Sequence, residues 1–213
     1  MSQHGIPNEI TDRLRTGDTA ALGELFVLCQ ERLRQMIHFR LDRRLVRRVD
    51  VDDVLQDAFI DAETRLQHFA KTDAEASPYV WLRLVALQTL HDVHRRHLGT
   101  QARDAAREQS VNVSGSTDQS TRYSMAQLLV GQLTSPSQAI QRAEAIEQIQ
   151  TALEQMNPID QEILALRNFE ELTNTEVSEV LGIETGTASL RYIRALKRLQ
   201  QVMSQHPDSG RTW

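Results

Sequence analysis

The chain has 213 residues, of which 40% are hydrophobic and 25% charged, and its formal net charge at pH 7 is −5. This length holds one large domain or two small ones, and the apolar share is sufficient for a buried core. No stretch approaches the roughly 18 consecutive apolar residues of a membrane span, and the first residues lack the layout of a signal peptide. We therefore expect a cytoplasmic protein with no membrane insertion.

The sequence offers little for catalysis or metal binding. Its single cysteine, Cys29, lies in an apolar run, so we predict a buried thiol that forms no intramolecular disulfide. His91, His94 and His97 recur at every third position, which places the outer two about 240° apart around a helix and prevents all three from binding one ion. With no Gly-rich phosphate loop and no Ser-His-Asp set, we predict no catalytic residue, no metal and no cofactor.

Cationic residues are concentrated in short clusters, although the chain as a whole is acidic. DNA binding requires cations that displace condensed counterions, yet none of the parts 1–98, 99–147 and 148–213 has more basic than acidic residues. The local clusters are Arg40, Arg43, Arg44, Arg47 and Arg48, then His91, His94, Arg95, Arg96 and His97, and finally Arg191, Arg194, Lys197 and Arg198. Each cluster taken alone is also typical of a solvated helix face.

Apolar residues recur at three- and four-residue spacing along most of the chain, which predicts an all-α fold. In the amino-terminal part this spacing indicates helices over Thr19–Arg48, as two helices or one bent helix, Asp50–Phe69 and Tyr79–His97. A polar loop, Lys71–Pro78, precedes the last of these. We predict that they form a helical bundle over residues 10–98.

A change of composition separates this bundle from a second domain. Residues 99–136 are rich in Ser, Thr, Gln and Gly, which indicates a flexible linker, with a short helix over Met125–Gly131. Residues 137–204 again show helical periodicity, and 205–213 are a tail. The predicted architecture is therefore two small helical domains joined by a flexible linker.

The carboxy-terminal domain carries local signals for a helix-turn-helix. Asn157-Pro158 starts one helix, and Thr173 with Glu176 forms the capping box of the next. Gly182 ends that helix in a left-handed conformation, and a third helix runs from Thr187 to about Val202. This layout is typical of a DNA-binding helix-turn-helix, and the alternative is an ordinary packing unit of three helices.

The third helix has a polar and cationic outer face. Near its start, Thr187, Ser189 and Arg191 are the candidates to contact base edges. We assign Arg194, Lys197 and Arg198 to phosphates, because such contacts position a protein on DNA without reading its sequence.

A second candidate surface lies in the amino-terminal bundle. Asp53, Gln56 and Asp57 are spaced i, i+3 and i+4, so they share one face of their helix. This face could bind a basic protein partner or a metal, and it could equally be solvated.

Two segments resemble a known family. DVDDVLQDAF, starting at Asp50, is similar to the helix by which sigma-70-type initiation factors bind the β′ coiled coil of RNA polymerase. TNTEVSEVLGIETGTASLRYIRALKRL, starting at Thr173, resembles the reader of the promoter −35 element. Together they resemble the extracytoplasmic-function type, which keeps only the second and fourth sigma regions, over about residues 18–98 and 145–203 of this chain.

The resemblance implies roles for single residues. Asp53, Gln56 and Asp57 would bind core polymerase. The −10 element would be contacted by Lys71, Tyr79, Arg83, Gln88, His91 and Arg95. The −35 element would be contacted by Thr187, Ser189, Arg191, Arg194, Lys197 and Arg198. The implied partners are core RNA polymerase, through its β′ coiled coil and β flap, promoter DNA and an anti-sigma factor.

This chain departs from the family's pattern at Asn174, Glu184, Ser189 and Leu190, so its promoter sequence is not implied. We interpret Trp81 as a core anchor and expect only Tyr79 or the loop Lys71–Pro78 to meet a base of the −10 element. Our prediction is a dissociable initiation factor, with promoter melting by region 2 and −35 recognition by region 4. The alternatives are a dimeric helix-turn-helix regulator that binds an operator without polymerase, and a metalloenzyme built on the acidic helix.

Overall fold

A computed structural model describes residues 5–71, 76–98, 119–131 and 139–204. Within these ranges the chain forms helices joined by turns and short connections, and no strand occurs among them. This confirms the predicted all-α fold. None of the helices in the described ranges is both long and apolar enough to cross a bilayer.

The chain divides into two compact units, residues 1–111 and 112–213. The first part of the predicted linker, 99–118, lies outside the described residues, as do 132–138 and the predicted tail. The predicted domain limits stay a prediction, and we describe each unit by itself.

The amino-terminal unit is a bundle of helices that surround one apolar core. The helices are α1 (Asn8–Arg15), α2 (Thr19–Arg40), α3 (Val51–Phe69) and α4 (Pro78–Leu98). Helices α2, α3 and α4 pack against one another, and α1 packs against α2 and α3. Cys29 is buried in this core, as predicted.

Local hydrogen bonds fix where the helices of this unit begin. Gly17 takes a left-handed φ of 80° between α1 and α2, and the Asp18 carboxylate then accepts the amides of Ala20 and Ala21. Asp50 starts α3 in the same way by accepting the amide of Asp52. A carboxylate at this position satisfies amides that have no partner within the helix.

The helical segment predicted over Thr19–Arg48 was too long, because α2 ends at Arg40 and residues 43–48 form turns. Leu41 and Leu45 are nevertheless buried, which explains why the apolar spacing continues past the helix end. Asp42 accepts the backbone amide and the guanidinium of Arg44, an arrangement that competes with helix formation. This hydrogen bond to Arg44 holds the pKa of the Asp42 carboxyl below its ordinary value.

The carboxy-terminal unit contains α5 (Gln119–Gly131), α6 (Ala139–Glu154), α7 (Pro158–Asn168), α8 (Asn174–Leu181) and α9 (Thr185–Ser204). Helix α5 packs against α6 and buries Met125, Ala126 and Val130. The helix predicted from Met125 thus starts earlier, at Gln119. Helices α7, α8 and α9 form the remaining layer around Ile163, Leu166 and Val177.

Candidate functional site

Both ends of α8 are fixed by local interactions that were predicted from the sequence. The Thr173 hydroxyl accepts the amide of Glu176 at 3.2 Å, and the Glu176 carboxylate accepts the amide of Thr173 at 2.7 Å. This is the predicted capping box. Gly182 ends the helix with a φ of 61°, which glycine adopts without the steric penalty of a side chain. The turn into α9 is therefore specified by the residues next to it.

Polar contacts then join α8 to α9. The Asn174 side-chain amide donates to the carbonyl of Thr185 at 2.9 Å and to the hydroxyl of Ser189 at 2.7 Å. The hydroxyls of Ser178 and Thr185 lie 3.2 Å apart. Since these bonds connect the first two turns of each helix, they fix the angle at which α9 leaves the turn.

A second set of contacts holds α9 against α7. The Tyr192 hydroxyl donates to the Asn168 side chain at 2.8 Å, and the Arg167 guanidinium lies 5.3 Å from the centre of the Tyr192 ring. Helix α9 is thus anchored on both sides, as a helix that must enter a groove in a fixed orientation requires.

The outward side of α9 follows from its buried side. Ala188, Ala195 and Leu199 are buried, and at 100° per residue the opposite side is centred on Leu190 and Lys197. The three residues predicted to contact phosphates, Arg194, Lys197 and Arg198, are all exposed. None of them forms an ion pair within the part of the chain that the structure describes. The outward side therefore carries exposed cations next to the exposed Leu190.

The three residues predicted to contact bases lie away from the centre of this face. Thr187, Ser189 and Arg191 are partly buried, and Ser189 points toward Asn174 of α8. Sequence reasoning missed Leu190 and Ile193, whose side chains are 56% and 50% exposed. The outward position of Leu190 could have been predicted from the sequence, because Leu190 follows the inward-facing Ala188 by two residues, or about 200° of helical rotation.

The acidic surface of α3 has the predicted geometry. Asp53, Gln56 and Asp57 are exposed on one face of the helix. Ile60, which follows Asp53 at i+7 and is 50% exposed, extends this face with an apolar side chain that we did not predict. The Arg96 guanidinium of α4 lies 3.7 Å from the Asp57 carboxylate.

A groove between α3 and α4 continues this surface. Its lining residues are Asp57, Ile60, Asp61, Thr89, Asp92, Arg95 and Arg96. Thr89 donates to the Asp61 carboxylate at 2.9 Å, and Arg95 pairs with Asp92 at 2.8 Å. The groove brings the polymerase candidate Asp57 and the −10 candidate Arg95 to the same place. Among the residues that the structure describes, no three His, Cys, Asp or Glu side chains form a group that could hold a metal ion.

The other −10 candidates have different surroundings. Lys71 and His91 are exposed, and Gln88 is partly buried and accepts a hydrogen bond from Arg65 of α3. Residues 72–75 of the predicted loop lie outside the described residues.

Two −10 candidates lie in the core of the unit. Tyr79 is fully buried and Arg83 is 2% exposed, and the guanidinium of Arg32 lies 3.6 Å from the centre of the Tyr79 ring. Neither side chain is available to a DNA base in this structure, so neither belongs to the contact set proposed below. Trp81 stacks on Phe69 with ring centres 4.5 Å apart, in keeping with its role as a core anchor.

Known proteins share parts of this arrangement. Residues 146–199 match the family model described as Sigma-70, region 4. The RNA polymerase sigma-H factor of Pseudomonas aeruginosa is 24% identical over 196 residues, which cover 92% of each chain. The solved structure of CnrH in complex with the cytosolic domain of CnrY covers 93% of this chain and 97% of that one at 18% identity, with a TM-score of 0.50. The sigma factor RpoE, solved with the anti-sigma factor NepR from Bartonella quintana, covers 85% of this chain and 96% of that one at 16% identity, with a TM-score of 0.45.

These similarities agree with the geometry of the two units. The region 4 match contains α7, α8 and α9 as far as Leu199, and the similarity to the sigma-H factor extends over both units. The likeness to CnrH shows a shared fold. Residues 146–199 thus match region 4 of the sigma-70 family, and the chain as a whole is similar to a sigma factor, in agreement with the resemblance of its sequence motifs.

Proposed function

We propose that this chain is a transcription initiation factor of the extracytoplasmic-function type, which binds core RNA polymerase and directs it to specific promoters. The observation that carries the proposal is the helix-turn-helix of residues 173–199, whose exposed cations face outward from a helix anchored on both sides. The chain supplies binding and orientation, while polymerase supplies the chemistry. Its place of action is the cytoplasm, where polymerase and promoter DNA are found.

In this proposal α9 enters the major groove of the −35 element. Residues in the first two turns of a recognition helix reach base edges, and here these turns contain Thr187, Leu190 and Arg191. Arg194, Lys197 and Arg198 lie further along the helix and contact phosphates. Because Ser189 is hydrogen-bonded to Asn174, we assign it to the helix pair rather than to DNA.

The acidic face of α3 binds core polymerase. Asp53, Gln56 and Asp57 offer carboxylate and amide groups to the basic β′ coiled coil, and Ile60 adds an exposed apolar contact beside them. Such a combination of an apolar side chain with a polar rim is typical of protein interfaces. The carboxy-terminal unit contacts the β flap.

The exposed end of α4 holds the −10 element. His91 and Arg95 are exposed there together with Arg96, and Lys71 and Gln88 are the further candidates on this unit. Cations of this kind hold a separated strand by its phosphates. The buried Tyr79 has no part in the contact.

We further propose that a protein of the anti-sigma kind controls this factor. CnrH was solved with the cytosolic domain of CnrY bound to it, and this chain shares the fold of CnrH. The partner would occupy the surfaces needed for polymerase and DNA.

Run-off transcription with core polymerase on a library of genomic fragments tests the proposal directly. We expect specific start sites that require the chain, and the absence of any such start would contradict the proposal. The alternative, a dimeric regulator that binds an operator without polymerase, is not favoured. It would predict tight, sequence-specific binding of the chain alone in a gel-shift experiment, whereas we expect tight binding only by the holoenzyme, because the chain is acidic overall.

A pair of substitutions tests the polymerase surface. We expect Asp53→Ala with Asp57→Ala to abolish co-purification with core polymerase and to lower the melting temperature only slightly, since both side chains are exposed. Asp12→Ala, which removes an exposed carboxylate from α1, is the matched control. If the double variant binds polymerase as well as the control does, the assignment of this face is wrong.

A further inference from the structure

Two apolar side chains stand on the outward face of α9. Leu190 is 56% exposed and Ile193 is 50% exposed, and at i, i+3 spacing their Cβ atoms are about 5–6 Å apart. Leu190 lies diametrically opposite the buried face of the helix, because it follows Ala188 by about 200° of rotation. The patch is therefore the most outward part of the helix and does not belong to the core.

Cations border this apolar patch. Arg194 follows Leu190 at i+4, and Lys197 follows Ile193 at i+4, so each lies one turn along the same face. Both are exposed, and neither forms an ion pair within the described part of the chain. An apolar patch with a cationic border is complementary to a polyanion that carries apolar groups on its recognised surface.

The DNA major groove has this chemistry. Phosphates line its edges, and within it each thymine presents a C5 methyl group that apolar side chains can contact. Guanine, adenine and cytosine offer hydrogen-bonding groups there, which a leucine cannot satisfy. The complementary base for this patch is therefore thymine.

The position of Leu190 along α9 suits such a contact. Helix α9 begins at Thr185, so Leu190 lies in its second turn. The amino-terminal residues of a recognition helix are those that contact base edges in the major groove. The hydrogen bonds from Asn174 to Thr185 and Ser189 hold this part of the helix in a fixed orientation.

We propose that Leu190, with Ile193 beside it, contacts thymine methyl groups of the −35 element and so determines part of the promoter preference. This inference rests on the proposed function, because it requires that α9 reads promoter DNA. It assigns specificity to a residue that forms no hydrogen bond to a base.

The experiment removes the methyl group and leaves the protein unchanged. Each thymine of the −35 element of a promoter found by run-off transcription is replaced in turn by deoxyuridine, which lacks only the C5 methyl. Promoter binding by the reconstituted holoenzyme is then measured. We expect one or two positions at which the loss is about fourfold, the value for one buried methyl-sized group.

Two variants connect this loss to the side chain. With Leu190→Ala we expect weaker binding to the thymine promoter and equal binding to the thymine and uracil forms. Leu128→Ala is the matched control, because Leu128 is a leucine of α5 that is 47% exposed. This variant should lose as much binding as the wild type does when thymine is replaced by deoxyuridine. Since the test on the wild-type holoenzyme needs no substitution in the protein, it does not depend on how a variant folds.

Other outcomes overturn the inference. If no uracil replacement matters while base-pair changes in the same element abolish initiation, then α9 reads the promoter without thymine contacts and only this inference fails. If no promoter depends on the chain, the proposed function fails with it. If Leu190→Ala still binds the promoter more weakly when thymine is replaced by deoxyuridine, and the variant instead loses binding to a protein partner, the patch is a protein docking surface.

Discussion

The side-chain amide of Asn174 donates a hydrogen bond of 2.7 Å to the hydroxyl of Ser189. Asn174 is the first residue of α8, and Ser189 lies in the second turn of α9. The same amide also donates to the carbonyl of Thr185 at 2.9 Å. One side chain thus joins the two helices of the helix-turn-helix at the point from which α9 projects.

We expect Asn174→Ala to destabilise the carboxy-terminal unit by about 1–3 kcal/mol, because it removes two hydrogen bonds, each of which contributes roughly 0.5–1.5 kcal/mol. Ser189→Ala should cost less, since the bond to the Thr185 carbonyl remains. Hydrogen exchange of the amides in α8 and α9 measures both effects. Protection in Asn174→Ala equal to that of the wild type would show that the amide of Asn174 does not stabilise the joint between the helices.

Gly182→Ala should destabilise the same unit by about 1 kcal/mol, because an L side chain is strained at a φ of 61°. A Cβ atom at this position would meet nothing within 4 Å, so the cost comes from the backbone alone. Gly182→Asn should cost less, because asparagine tolerates the left-handed region better. Denaturant unfolding compares the two variants, and a smaller loss for alanine than for asparagine would contradict this explanation.

Asp18→Ala should lower the melting temperature of the amino-terminal unit. The Asp18 carboxylate accepts the amide of Ala20 at 2.8 Å and the guanidinium of Arg13 at 2.7 Å, so the substitution removes both the start of α2 and an ion pair. Asp12→Ala, on the same unit, should leave the melting temperature unchanged. A similar decrease in both variants would point to a general charge effect instead.

The contribution of Asp18 should also depend on pH. Its hydrogen bond to Arg13 holds the pKa of Asp18 below its ordinary value. A carboxyl whose pKa is lower in the folded state stabilises the fold above its unfolded pKa, and this stabilisation is lost as the pH falls through the folded pKa. The difference in melting temperature between wild type and Asp18→Ala should therefore be constant near neutral pH and decrease in acid, as thermal unfolding over a pH series would measure.

Arg194→Ala and Lys197→Ala should each make promoter binding by the holoenzyme less dependent on salt. Each lost phosphate contact should reduce the slope of log K against log salt concentration by about 0.9. Lys197→Arg keeps the charge and should keep the slope. An unchanged slope in both alanine variants would mean that the cationic face of α9 does not contact phosphates.

Helix α8 could be predicted to within a residue because its boundaries depend on neighbours in the sequence. Thr173 and Glu176 satisfy each other's amides, and Gly182 supplies the left-handed residue that ends the helix. The end of α2 was missed because Leu41 and Leu45 are buried in turns and keep the apolar spacing of a helix. Periodicity shows which residues face the core, whereas the hydrogen bonds of Asp42 decide where the helix stops.

The candidate surfaces also include a part that could be predicted from the sequence and a part that could not. The acidic face of α3 follows from helical spacing alone, and the structure places Asp53, Gln56 and Asp57 as predicted. The burial of Tyr79 could not be predicted, because it depends on packing between helices, of which the contact of its ring with Arg32 of α2 is one example. Contacts between helices leave no local signal in the sequence, so the division of aromatic residues between core and surface required the structure.

The pair formed by Asp57 and Arg96 has a consequence for any cationic partner of α3. Both side chains are more than half exposed, and an ion pair of this kind contributes only about 0–1 kcal/mol. Arg96 thus neutralises Asp57 when no partner is bound. A cation of the partner can displace Arg96 from Asp57 at a small cost in free energy. Docking at Asp57 is then an exchange of ion pairs, and Arg96, once released, becomes an additional cation at the end of α4 where we place the −10 DNA.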